Sequence, residues 1–350
     1  KGDTINGNVY NRIIYNESKF GNGCDNYGPG TIAKPKCYPN KFEPTDWSRN
    51  LYPGDTVIFR ESSAGYPSLL LKSSGKAGAP ITIMPYSGEK LFIKTTHTAG
   101  IHISQASYIN IEGPIEINSS IGHVGILVQG APDYQTNPLR ADNIKIHNCR
   151  IYGKGNGIWL QNVNNSEVEN CIIGPMLPGA DHVNGMEMNG LYNSLIKNVE
   201  AYGAFDNRGC PANSDADGFH LEGRYDGTVS HGGRNITMIN CTAHNNYEDG
   251  FDMTGEVTLI NSKSYNNYGA GIKVFQREQD NHTLSKINSL SYHNGYCPRD
   301  LLDGNPGVKN TRGPGLNISN SIIYGNLNEG VNIQYYYSGG SSDPIEGFSY

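Results

Sequence analysis

The chain has little of what usually builds a globular core. Of its 350 residues 36% are hydrophobic, tryptophan occurs twice and methionine six times, and mean hydropathy is −0.52. No apolar run approaches the roughly 20 residues of a membrane-spanning helix. Charge is also scarce: Asp, Glu, Lys and Arg make up 17%, the net charge is −6, and no basic run occurs. A nucleic-acid partner is therefore not expected. Seven cysteines are too few to act as a disulfide framework for this length. Cys24 and Cys37, in a Pro/Gly-rich segment, could pair, and Cys210 with Cys297 is a second candidate pair.

What is abundant is glycine, with 44 residues, and tyrosine, with 23. Disordered chains lack aromatics and carry high net charge, so this composition points instead to an all-β fold with many short strands and Gly-rich turns. N-x-S/T sequons begin at Asn16, Asn118, Asn164, Asn235, Asn240, Asn281 and Asn317, so N-glycosylation is possible. With no signal peptide and Lys1 in place of Met, a processed chain is expected. An extracytoplasmic location, secreted or at the cell surface, and a monomeric state are the expectations.

Two interleaved repeats organise the sequence. A Gly-apolar-x-apolar motif begins at Gly100, Gly125, Gly157, Gly185, Gly218, Gly250, Gly271 and Gly330. An Asn-small motif begins at Asn148, Asn170, Asn198, Asn240, Asn261, Asn288 and Asn320. From Gly100 to Gly271 successive Gly motifs are 21 to 33 residues apart, and the excess falls in polar loops. Alternation within each run suits half-buried strands, and repeats of this period without helices read as coils of a parallel β-helix. Each coil buries its apolar face on the next, which is how so apolar-poor a chain can fold. The repeated Asn is expected to form an internal amide ladder, with Cys149, Cys171, Val199, Cys241 and Ser262 as small core fillers beside it. PGDTVIFRESSAGYPSLLLKSSGKAGAPITIMPYSG (residues 53–88) supplies the first coils. Residues 1–52 read as a cap or lead-in and 53–350 as a single β-helical domain.

If the Gly motifs stack, their outward "x" residues form one column: His102, Leu127, Trp159, Glu187, His220, Asp252, Lys273 and Asn332. Strands in a sheet lie about 4.8 Å apart, which brings Asp252 near Lys273. Acidic clusters enter the same strands, NSDADGF with Asp217 and NNYEDGFDMTG with Glu248, Asp249 and Asp252. Asp217 and Asp249 each precede a motif Gly and should therefore stack. Carboxylates at Asp217, Glu248, Asp249 and Asp252 converge, and hard oxygen donors in that number suit Ca2+. A solvated acidic turn is the plainer reading, but two clusters in phase, beside an in-phase lysine, favour a cation. NSDADG also opens like an EF-hand loop, yet Arg224 stands where a bidentate Glu is required.

These residues carry a resemblance. The coils, NSDADGF, YEDGFD one coil on and GAGIKV one coil further are similar to the calcium-dependent pectate lyases of polysaccharide lyase family 9. The likeness covers roughly residues 50–335 in architecture, and its specific part is residues 213–275. It implies a right-handed parallel β-helix, Ca2+ held by Asp217, Glu248, Asp249 and Asp252, and Lys273 as the base that opens β-elimination on an acidic polysaccharide, pectate or polygalacturonate. The sequence departs from the pattern at Glu248, where Asp is usual. Arg277 is expected to clamp a substrate carboxylate, while His220, Glu187 and Trp159 would line the substrate groove. Substrate choice would rest on the insertions at 130–142, 174–184, 203–216 and 276–284. The rival readings are a hydrolase using paired carboxylates, a lyase for another uronate polymer, and a Ca2+-stabilised β-helical adhesin without catalysis.

Overall fold

The computed structural model describes residues 51–119, 123–130, 141–177, 183–205, 216–222, 224–225, 230–231, 233–275, 285–295, 308–311, 316–326 and 330–334, together with the backbone of four short strands before residue 51. The candidate clamp Arg277, the Cys24–Cys37 and Cys210–Cys297 pairs and most of the substrate-choice insertions lie outside the described residues.

Every described element is a strand, and 26 of the strands join one sheet in which the pairings are parallel. Each coil presents three strands in turn. In one coil they are Met186–Lys197, whose two halves pair with different strands, followed by Glu200–Tyr202. The expected all-β parallel β-helix is the fold observed. Backbone pairing also reaches into the first fifty residues, where Arg12–Glu17 pairs in parallel with Asp55–Phe59.

Alternation does the work that a large apolar content would do elsewhere. In Ile109–Ser119 the isoleucines 109, 111, 115 and 117 are buried while the residues between them face outward. Their partners one coil on are Ile144, Ile146, Cys149 and Ile151. Like therefore stacks on like, and each coil buries its apolar face against its neighbours. Cys149, Cys171, Val199, Cys241 and Ser262 are all within 3% of full burial, the small-filler role expected of them. Burial pushes the Cys241 thiol up to about 12, which leaves it protonated and inert.

The motif glycines are required by close approach. A β-carbon at Gly157 would run into the Ile173 side chain and the Gly185 carbonyl, and one at Gly250 into the Ser264 hydroxyl.

The asparagines behave differently from the expectation. Asn148, Asn170, Asn198, Asn240 and Asn261 are exposed and adopt φ of 51° to 57°. They are corner residues in the left-handed region, which Asn tolerates better than other side chains do. Their amides link outside the helix: Asn240 Nδ2 donates to Asn198 Oδ1 at 3.1 Å, and Asn198 Nδ2 to Asn170 Oδ1 at 2.9 Å. The internal ladder is built from another set. Asn246, Asn267 and Asn294 are fully buried; Asn246 Nδ2 donates to Asn267 Oδ1 and Asn267 Nδ2 to Asn294 Oδ1, both at 2.9 Å. This inner ladder pins the turn that leads into the wall carrying the Gly motifs.

Candidate active site

The column read from the sequence is present in the predicted order. His102 pairs with Leu127, Leu127 with Trp159, Trp159 with Glu187, Glu187 with His220, His220 with Asp252, and Asp252 with Lys273. One position was missed: Lys309 lies between Lys273 and Asn332 in the register. The sequence there reads Gly307-Val308-Lys309 but continues with Asn310, so the second apolar residue that marks the other copies is absent.

A second ladder sets the acidic residues. From Gly157 to Gly271 the residue before the motif Gly is Asn156, Asn184, Asp217, Asp249 and then Ala270. Each side-chain Oδ1 in this series accepts the backbone N–H of the next: Asn156 from Asn184 at 2.8 Å, Asn184 from Asp217 at 2.8 Å, Asp217 from Asp249 at 2.8 Å, and Asp249 from Ala270 at 2.5 Å. Amide and carboxylate serve this backbone role equally well, since only one oxygen is used. What changes at Asp217 and Asp249 is the second atom, an ionisable Oδ2 in place of an NH2. The Asn-Gly, Asn-Gly, Asp-Gly, Asp-Gly succession was visible in the sequence.

Both aspartates are almost wholly buried, at 1% and 4% exposure. Asp217 Oδ2 lies 3.4 Å from His220 Nδ1. Lys273 Nζ donates to Asp252 Oδ2 at 2.7 Å and lies 3.2 Å from Asp249 Oδ2. Carboxylate oxygens of Asp217, Glu248 and Asp249 all fall within 4.8 Å of one another, as do ligand atoms of Asp217, His220 and Asp252. The structure thus brings together Lys273, His220 and all four candidate cation ligands.

Electrostatics follow from that crowding. Burial first, then the charges of Glu248, Asp249 and Asp252, push Asp217 well above the ordinary carboxylate range. Burial also raises Asp249, while Lys273 pulls it back. At Lys273 burial acts to release the proton, but Asp252, Asp249 and Asp217 together outweigh it and hold the ammonium well above the usual lysine value. One ammonium faces four carboxylates, so the cluster remains short of positive charge. Its donors are hard oxygens converging from two coils, the set a divalent cation of the calcium type takes. The residues fit such an ion.

Glu187 is held differently. It is 9% exposed, and its Oε2 accepts from Asn156 Nδ2 at 2.9 Å and from Asn184 Nδ2 at 3.0 Å. Asn184 Nδ2 also lies 3.2 Å from His220 Nδ1. Trp159 sits one coil below Glu187, packs against the small apolar group of Ala99, Val124 and Leu127, and donates its indole N–H to Asn189 Oδ1. The wall therefore changes along its length, apolar around Leu127 and Trp159 and ionic from Glu187 to Lys273. Asn156 and Asn184 are the positioning residues that the sequence reading overlooked.

A parallel β-helix with an acidic cage beside a lysine on one wall is the class that fold and site define. A family model described as the Pel9A-like right-handed β-helix region matches residues 26–268. The chain belongs to that family. No curated protein sequence matches it. Similar solved structures include pectate lyase Pel9A, 16% identical over 91% of this chain and 80% of that one, with a TM-score of 0.48. A rhamnogalacturonan lyase is 17% identical over 92% of this chain and 74% of that one, with a TM-score of 0.50. The A-module of the mannuronan C-5 epimerase AlgE6 of Azotobacter vinelandii is 14% identical over 80% of this chain and 81% of that one, with a TM-score of 0.51.

Proposed function

We propose that the protein is a secreted or cell-surface polysaccharide lyase that cleaves a uronate polymer, pectate or polygalacturonate above others, by Ca2+-assisted β-elimination with Lys273 as the base. The observation that carries this reading is the single amine lying 2.7 Å from Asp252 and 3.2 Å from Asp249, inside a cluster of four carboxylates. Among the described residues, no helix is long and apolar enough to cross a membrane.

The α-proton of a uronate is very weakly acidic, so two things are needed: a base within reach and stabilisation of the charge left behind. Bound among Asp217, Glu248, Asp249 and Asp252, Ca2+ would supply the second as a Lewis acid toward the substrate carboxylate. The protein's own groups supply the rest. Lys273 is half-buried on the groove wall, 25% exposed, and accessible to a sugar lying across it. It can accept a proton only as the free amine, and Asp252 and Asp249 favour the ammonium. Neutralising those carboxylates removes what holds the lysine proton, so cation occupancy and deprotonation of Lys273 are linked. Glu187 is fixed on one coil by two asparagine amides, and Asn184 and Asp217 hold the His220 ring over the next. As Lys273 takes the C5 proton, the C4–O bond breaks, a C4–C5 double bond forms to leave an unsaturated uronate end, and the departing glycosidic oxygen takes up a proton from water.

The hydrolase reading is less well supported. An inverting pair needs carboxyl groups roughly 6.5–9.5 Å apart to admit water, whereas oxygens of Asp217, Glu248 and Asp249, and of Asp217 and Asp252, approach within 4.8 Å, and Lys273 would have no task. The test is ultraviolet detection of the unsaturated product on polygalacturonate and alginate. We expect absorbance to rise with Ca2+ and stop with chelator. Reducing sugar released without absorbance, or release unaffected by chelator, would sink the lyase reading.

A further inference from the structure

The turn that leads into the acidic wall carries a second feature that the chemistry above does not use. Phe205, Tyr247 and Tyr268 occupy the same position in successive coils, directly after Ala204, Asn246 and Asn267. Ala204 donates its N–H to Asn246 Oδ1 at 3.1 Å, and Asn246 donates its own to Asn267 Oδ1 at 3.1 Å. The three rings form a row, with centroids 4.4 Å apart between Phe205 and Tyr247 and 4.9 Å between Tyr247 and Tyr268. One coil below, the register position next to the Met176–Ala204 bridge is Leu177, 49% exposed. One coil above, the position is Gly295, and the row ends.

Another aromatic row on this molecule stacks differently. Tyr202, His244, Tyr265, Tyr292 and Tyr324 lie on a different face, with consecutive interplanar angles of 2°, 1°, 11° and 4°. Flat stacks cover one ring with the next. Phe205, Tyr247 and Tyr268 are splayed instead, at 56° and 41°. Phe205 and Tyr268 remain 39% and 36% exposed, so ring surface is left open to a ligand.

The row is also continuous with the cage. Tyr247 directly precedes Glu248, and Gly269, next to Tyr268, donates its N–H to the Glu248 carbonyl at 2.8 Å. A ligand spanning both features needs an apolar face and an anionic edge close together. A sugar acid has both: the C–H face of the pyranose ring and the carboxylate on its rim.

The geometry points to Phe205, Tyr247 and Tyr268 as an aromatic platform that binds a uronosyl unit of the polymer beside the reacting one. This inference rests on the uronan reading of the site. The inner ladder pre-sets the turn, so the rings need little ordering on binding, and the platform's contribution is insensitive to the cation.

The test uses the full chain in a Lys273→Ala background, which holds polymer without turning it over. Affinity electrophoresis on polygalacturonate and on alginate, with Ca2+ present, reads binding; calorimetry reads Ca2+ affinity, and thermal melting reads folding. Phe205→Ala with Tyr268→Ala is expected to weaken binding of the preferred polymer about tenfold or more, as loss of two ring contacts predicts. Ca2+ affinity should stay within about twofold. Tyr268→Trp should keep the binding, which separates loss of a stacking face from loss of the fold. Polymer binding by the double variant equal to its parent's overturns the platform. So does a parent that retains neither uronan. If the parent binds polymer and the double variant does not, yet wild type yields no unsaturated product, the platform stands and the lyase assignment falls.

Discussion

Lys273→Ala is expected to lower turnover on polyuronate by about 10²–10⁴-fold, the contribution of a positioned general base, while cation binding survives. The ammonium at Lys273 is the counter-ion of Asp252 and Asp249 in the ion-free protein. Removing it takes away a competitor for those carboxylates, so Ca2+ affinity should hold or rise. It also leaves buried anions uncompensated, which is costly, and folding of the variant should become visibly Ca2+-dependent. Lys273→Arg is the informative companion. Arginine preserves the positive charge but does not give up its proton, so turnover should fall as far while Ca2+ affinity weakens. Calorimetric titration of Ca2+ alongside initial rates separates the two variants. Rates within about tenfold of wild type for either one would remove Lys273 from the role of base.

Asp217→Asn should have opposite effects on function and stability. Asn156 and Asn184 fill the same ladder position two coils and one coil earlier, and an amide Oδ1 can accept the Asp249 N–H as Asp217 does. The backbone is therefore undisturbed and a buried charge is removed. Asp217 is held above its unfolded-state pKa by burial and its anionic neighbours. Its favourable contribution is thus complete below the unfolded value and is lost as pH rises through the folded one. Without ions, wild type should lose stability as pH climbs above the usual aspartate range, and the variant should lose less. At neutral pH in chelator the variant should melt higher, by about 1–2 °C for each kcal/mol of repulsion relieved. Added Ca2+ should reverse the order, because only wild type keeps the full ligand set. Activity should fall along with Ca2+ affinity. A variant that is destabilised in chelator would show that Asp217 is a structural ladder residue and not a strained ligand.

Much of this site could be read in one dimension because a β-helix converts sequence period into spatial neighbourhood. Once Gly185, Gly218, Gly250 and Gly271 were aligned, the pairing of Glu187 with His220, His220 with Asp252 and Asp252 with Lys273 followed. The asparagines were harder to read. In Asn245-Asn246 and Asn266-Asn267 the first residue bends the chain at φ of 54° and 53°, and the second turns inward and is buried. Composition and spacing give both the same weight; only the corner geometry separates them. The asparagines next to the small residues were therefore placed inside when they belong at an outer corner. The grip of Asn156 and Asn184 on Glu187 was out of reach for a related reason, because it depends on which amide atom the backbone ladder leaves free. Lys309 was missed because Asn310 breaks the motif.

The decisive observation is where a calcium ion binds. Diffraction from crystals grown with Ca2+, using the ion's anomalous signal, should show one strong peak liganded by Asp217, Glu248, Asp249 and Asp252, with the Lys273 amine beside it. His147, Glu167 and Glu169 form another group within 4.8 Å on a different face, where lysines 145 and 197 already neutralise the glutamates. A peak there alone, or no peak among the four acids at saturating Ca2+, would contradict the central claim.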